Sequence, residues 1–227
     1  MNIFDIMGPV MIGPSSSHTA GAARIGYVAR QLLGEKPLEM EMLLHGSFAS
    51  TGEGHGTGLA LIGGVLGLRP DDIRLPLSRQ LAAEQGLKVR LGTVQLRDAH
   101  PNSVRLNLQG EQGGQICVEA ASLGGGRIRV TGIDGVKTAF QTDYPTLIVQ
   151  HQDKPGQLKQ LLDLLAHDSI NVASLYTARN SRGGMGVVVA ECDQDLPLQM
   201  LTMLHALPDI NKYTYLPLDE GGDNDGL

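Results

Sequence analysis

The chain has 227 residues, 41% of them hydrophobic but only 4% aromatic and none Trp, so it can bury aliphatic cores in two modest domains. A net charge of −6, spread along the chain without a Lys/Arg run, excludes a nucleic-acid surface. The apolar run 59–68 is broken by Gly63, Gly64 and Gly67 and is too short for a membrane span; MNIFDIMGP lacks the charged lead of an export signal, so a cytoplasmic protein is expected.

In chain order, the segment 13–19 (GPSSSHT) forms a turn before a helix in which Ile25, Val28, Ala29 and Leu32 recur at three and four, with Ser17 or Thr19 as the expected cap. The small-residue helix Ala20–Ala29 and the loops before it are a candidate partner-facing surface. Segment 38–50 (LEMEMLLHGSFAS) opens with Leu38, Met40 and Met42 alternating with Glu39 and Glu41, and is expected as a strand. A glycine-rich turn over 52–58 then leads into a helix over 57–66, with a further helix over 76–85. From 87 to 130 the period falls to two: Val104, Leu106 and Leu108 alternate with Ser103, Arg105 and Asn107, and Ile116, Val118 and Ala120 repeat the pattern. Glycine-rich turns at 110–114 and 124–126 complete an antiparallel meander with one buried face.

Beyond a linker at 141–145 come a strand (146–152), a helix (155–166) with Leu158, Leu161, Leu162 and Leu165 on one face, two strands (170–178 and 184–191), a helix (197–206) and a last strand (211–216). That order, βαββαβ, is the split-βαβ sandwich. The expected class is therefore α+β, with a mixed α/β domain over 1–140, a βαββαβ domain over 146–218 and a disordered acidic tail over 219–227.

Three histidines lie in segments rich in turn residues. His18 follows three serines, His55 is flanked by Gly54 and Gly56, and His100 sits in Asp98-Ala99-His100-Pro101-Asn102. Singly, each is better explained by surface hydrogen bonding than by catalysis, and His45, His151, His167 and His205 are expected to be structural. The glycine-rich run does not complete G-x-G-x-x-G, because Thr57 occupies the last position. Only two cysteines are present, Cys117 and Cys192, whereas an iron–sulfur cluster usually takes about three or four thiolates. Both are expected as reduced, buried thiols.

The order strand, Asp-Lys-Pro-Gly, helix, Ile-Asn-Val resembles the ACT family over about 147–216. That resemblance implies an effector site at Asp153, Gly156 and Asn171, and pairing between ACT domains. Taken together and in order, GPSSSHTAG, GSFASTGEGHGT and DAHPNSV resemble the iron–sulfur-dependent L-serine dehydratases. With the ACT-like module after them, the whole chain is similar to the beta subunits of the two-chain bacterial form. The run departs from that family's pattern at Gly58, where relatives place Asp.

The resemblance implies an N-terminal domain like the allosteric substrate-binding domain of phosphoglycerate dehydrogenases. It also implies an alpha subunit holding a 4Fe–4S cluster, with no ligand from this chain, and L-serine as substrate. His55 is then expected as the base that removes the α-proton, Ser16, Ser17, His18 and Thr19 as donors to the substrate carboxylate, and His100 and Asn102 as groups that hydrogen-bond substrate or orient His55. The other expectation is a purely regulatory subunit that senses serine through both domains.

Overall fold

The computed structural model describes residues 15–52 and 54–218. Gly13, Pro14, Glu53 and the tail 219–227 lie outside them. The chain is α+β and divides into two compact units between Gln141 and Thr142.

In the first unit, α1 (Gly21–Leu33), α2 (Gly46–Thr51), α3 (Thr57–Val65) and α4 (Ser78–Glu84) accompany six strands: β1 (Pro37–Leu44), β2 (Lys88–Thr93), β3 (Ser103–Gly110), β4 (Gln115–Gly124), β5 (Arg127–Ile133) and β6 (Val136–Phe140). The sheet order is β2-β1-β3-β4-β5-β6. Met42, Leu106 and Val118 are cross-strand neighbours, all buried, and Met42 faces α3. The next row, Glu41, Asn107 and Cys117, points to the opposite, polar face. The period-two pattern thus places α1 and α3 over one side of the sheet.

Those helices meet through glycine. A Cβ at Gly26 would lie 2.3 Å from the Leu61 carbonyl oxygen, and one at Gly64 would lie 2.0 Å from that of Ala23. No side chain fits between such backbones, so the close crossing depends on these two positions. Ala20, Ala22, Ala23 and Ala29 have no exposed surface. The small-residue helix is therefore an internal packing face, which corrects its expected role as a partner surface.

Three further expectations change. The cap before α1 is Ser15, whose hydroxyl accepts the His18 amide at 3.2 Å; Ser17 and Thr19 lie inside a π-helical turn, Ser16–Ala20, that runs into α1. The expected strand 38–50 stops at Leu44. Gly46 takes φ +56°, and a Cβ there would come within 2.5 Å of the Pro101 carbonyl oxygen, so the chain turns into α2 instead of extending. Finally, β2 is not part of the meander: it pairs parallel to β1, from Glu39 with Lys88 to Leu44 with Thr93. Helices α2, α3 and α4 form the crossover that a parallel pair requires.

The second unit contains β7 (Thr146–Gln152), α5 (Gln157–His167), β8 (Val172–Arg179), β9 (Met185–Cys192), α6 (Leu198–His205) and β10 (Ile210–Leu216). Its sheet order, β10-β7-β9-β8, is antiparallel throughout, giving the ferredoxin-like βαββαβ arrangement. The core is aliphatic, built on Leu147, Val149, Leu161, Leu165, Val188 and Met200. Each large side chain buried there contributes about 1.5–3 kcal/mol. No described helix is long and apolar enough to cross a membrane.

Candidate active site

The site starts from the π turn. Ser15 caps it by accepting the His18 amide, and His18 lies within reach of two hydroxyl pairs. Nδ1 of His18 lies 3.1 Å from the Ser17 hydroxyl and 3.4 Å from that of Ser15. Nε2 lies 3.1 Å from the Thr51 hydroxyl and 3.3 Å from that of Ser47. Ser47 and Thr51 are four apart on α2, so one face of this short helix presents both to the ring. The His18 ring also meets Phe48 edge-on, with centroids 5.3 Å apart, and Phe48 anchors α2 in the core with no exposed surface. Partial burial, then the neighbouring His55, hold His18 below the ordinary histidine value, offset in part by the Ser47 backbone.

His55 lies beside His18, with ring centroids 5.1 Å apart at a 44° tilt. Its exposed ring is fixed by one contact, Nδ1 to the Thr51 carbonyl oxygen at 3.1 Å. A carbonyl only accepts, so in the neutral ring the proton sits on Nδ1 and the lone pair on Nε2. Thr19 is buried, and its hydroxyl donates to the His55 carbonyl at 3.3 Å. Thr19 therefore tethers the His55 loop to the π turn.

The third loop enters through Pro101, whose carbonyl accepts the Ser47 amide at 2.7 Å. No hydrogen bond joins His100 to His18 or His55 among the described residues. His100 is exposed, and its Nδ1 accepts the Asn102 amide at 3.1 Å, so the neutral ring carries its proton on Nε2. The side-chain oxygen of Asn102 is buried and has no partner among the described residues. Ser16 accepts the Gly125 amide at 3.3 Å, which keeps its hydroxyl proton for another acceptor.

Ser47 and Thr51 were missed by sequence reasoning, because the segment was expected as a strand. Their spacing of four was the available signal. Of the other histidines, His45 takes the Leu96 amide on Nδ1 at 3.3 Å, His151 is buried, His167 lies against Asp168, and His205 stacks edge-on against Tyr213.

In the second unit, Gly156 has φ +92° and starts α5. Asp153 accepts Arg179 at 2.6 Å and the Gly183 amide at 2.9 Å. These two contacts, the amide first, hold its carboxyl below the usual value. The Asn171 carboxamide donates to Asp193, and its backbone amide donates to Gln194 at 3.1 Å.

The donor set does not fit an iron–sulfur cluster. Cys117 and Cys192 belong to different units. Burial raises the pKa of both thiols, that of Cys192 to about 11. No three His, Cys, Asp or Glu side chains come together to hold a metal among the described residues. A cavity of about 310 Å³ lies on the polar face of the six-stranded sheet, lined by Glu39, Glu41, Arg90, Asn107, Cys117 and Asp134. It includes none of the three loop histidines.

The family model described as serine dehydratase beta chain matches residues 2–93. A probable L-serine dehydratase beta chain of Bacillus subtilis (strain 168) is 39% identical, aligning 94% of this chain with 96% of its own length. The L-serine dehydratase beta chain of Peptoniphilus asaccharolyticus is also 39% identical, over 85% of this chain and 87% of its own. A D-3-phosphoglycerate dehydrogenase of Bacillus subtilis (strain 168) is 24% identical, matching 83% of this chain with 36% of its length.

Proposed function

The chain belongs to the L-serine dehydratase beta-chain family, and we propose that its histidine loops complete a serine-dehydrating site with an alpha chain. As such a subunit it takes part in converting L-serine to pyruvate and ammonia. Serine loses its α-proton and β-hydroxyl as water, giving aminoacrylate, whose imine tautomer adds water to release pyruvate and ammonia. Removing the α-proton needs a base with a lone pair at neutral pH, a task suited to imidazole.

One observation carries the reading: the Thr51 carbonyl fixes the lone pair of neutral His55 on Nε2, beside a second imidazole at 5.1 Å. We assign the α-proton to His55 Nε2. His100 offers an N–H donor and Asn102 an unpartnered acceptor for the substrate's polar groups. Ser16 and Ser17, in the first turn of the helix containing His18, are assigned to the substrate carboxylate, where backbone amides also favour an anion. The 4Fe–4S cluster belongs in this proposal to the alpha chain, since the thiols of the beta chain do not fit it. The second unit is proposed to act as an ACT domain, pairing with another copy, with Asp153, Gly156 and Asn171 as its effector residues. The complex is proposed to work in the cytoplasm.

The test is anaerobic pyruvate formation by the chain purified with its alpha partner. His55→Ala is expected to lower kcat by about 10²-fold or more, the usual contribution of a general base. Wild-type kcat in that variant removes His55 as base. A change confined to serine affinity or cooperativity instead supports the regulatory alternative.

A further inference from the structure

His18 and His55 lie on separate segments, and Thr51 touches both. Its hydroxyl is 2.8 Å from the Ser47 carbonyl oxygen and 3.1 Å from His18 Nε2. The carbonyl can only accept, so the single hydroxyl proton goes there and an oxygen lone pair faces the ring. His18 Nε2 is then the protonated nitrogen of the neutral ring. Its Nδ1 keeps a lone pair, with the hydroxyls of Ser17 and Ser15 at 3.1 and 3.4 Å, so Ser15 can serve it when Ser17 turns to the carboxylate. On the other side, the Thr51 backbone carbonyl takes the Nδ1 proton of His55 at 3.1 Å.

We propose that Thr51 is the positioning residue of this site, holding His18 and His55 in opposite tautomers so that only His55 turns an Nε2 lone pair outward. The proposal rests on the assignment of His55 as base and adds the group that prepares it. The helix geometry supports it independently. Ser47 and Thr51 occupy one face of α2, and Gly46 and Phe48 fix that helix against Pro101 and the core. A hydroxyl at position 51 therefore reaches His18 while the carbonyl of the same residue reaches His55. Ser47, with its hydroxyl 3.3 Å from the same nitrogen, is the weaker second contact.

Two-bond ¹⁵N–¹H correlation spectra of the full chain report the tautomer of each histidine directly and need neither cluster nor turnover. In the wild type, His18 is expected as the Nε2–H form and His55 as the Nδ1–H form. Thr51→Val is expected to shift the His18 tautomer ratio about fivefold toward Nδ1–H, the change expected from losing one neutral hydrogen bond. Thr51→Ser should restore the original ratio. His55 should stay unchanged in both, because the carbonyl remains; its signals also show that α2 is still folded. A wild-type His18 in the Nδ1–H form overturns the proposal, as does an unchanged ratio in Thr51→Val. Tautomers that respond while His55→Ala stays active would sink the base assignment and leave Thr51 as a positioning residue. Fixed tautomers with an inactive His55→Ala would do the reverse.

Discussion

Around His18 and His55 the polar groups converge on two rings and leave Nε2 of His55 without a hydrogen-bond partner among the described residues. Around the Asp153 turn they close on each other: Asp153 with Arg179 and Gly183, Asn171 with Asp193, and Lys154 with Asp209 at 2.6 Å. Both segments read alike in sequence, as a polar turn with glycine or proline ahead of a helix. The difference is where the charges end up. In the first unit the helix-start partners are hydroxyls, which satisfy an imidazole without fixing its charge. In the second, carboxylates meet a guanidinium, an ammonium or amides. A new ligand at the Asp153 turn must displace existing partners, whereas one at the histidines need not.

That contrast is sharpest in paired substitutions within the complex. His55→Ala should lower kcat about 10²-fold or more, while Asp153→Asn should leave kcat unchanged and alter only effector response. A kcat loss of similar size in both, measured as anaerobic pyruvate formation, would break the comparison. Next in size is Gly46→Val, which combines a left-handed φ of +56° with a Cβ 2.5 Å from the Pro101 carbonyl oxygen. It should destabilise the first unit by about 2–4 kcal/mol, combining backbone strain with overpacking. Urea unfolding followed through amide signals of each unit should show the second unit unaffected.

The smallest effects are in pH. Burial and His55 lower the pKa of folded His18 below 6.5, its value in the unfolded chain, so the folded state binds that proton less readily. Stability of the first unit should therefore be complete above pH 6.5 and decline as pH falls toward and through the folded value. His18→Gln should flatten that decline. Asp153 is lowered from 3.8 by the Gly183 amide and Arg179, so its stabilisation of the second unit should persist to about pH 3.8 and be lost only as pH falls below that, through its folded value. Melting curves at stepped pH, read unit by unit, should show the first unit weakening first. The opposite order would contradict both assignments.

Much of the architecture was legible because burial writes a period into the chain. The helix expected over 57–66 is α3, and the leucines at 158, 161, 162 and 165 mark α5. What was not legible depended on partners distant in sequence. Nothing in 87–93 says that its neighbour is β1, or that the pairing is parallel. Helix α2 buries only Phe48, too little for an apolar period, and its turn is set by Gly46 meeting Pro101 from another loop. The site followed the same rule. The glycines around His55 and the serines before His18 were visible, but their juxtaposition through Thr51 required α2 to be a helix. His100 stood out for its turn, yet its loop reaches the pair indirectly, through Pro101 and Ser47.

The parallel pairing of β1 with β2 has a consequence for how the protein is made. Ser47, Thr51 and His55 all lie within the one crossover between Leu44 and Lys88. As the chain leaves the ribosome, that loop cannot close until residues 88–93 have emerged, and β1 finds its other neighbour, β3, only after that. Non-local closures of this kind are slow steps in folding. Until then, the glycine-flanked histidine and its supporting helix have no sheet to rest on. Sheet closure and site assembly should thus be a single event in the lifetime of a nascent chain.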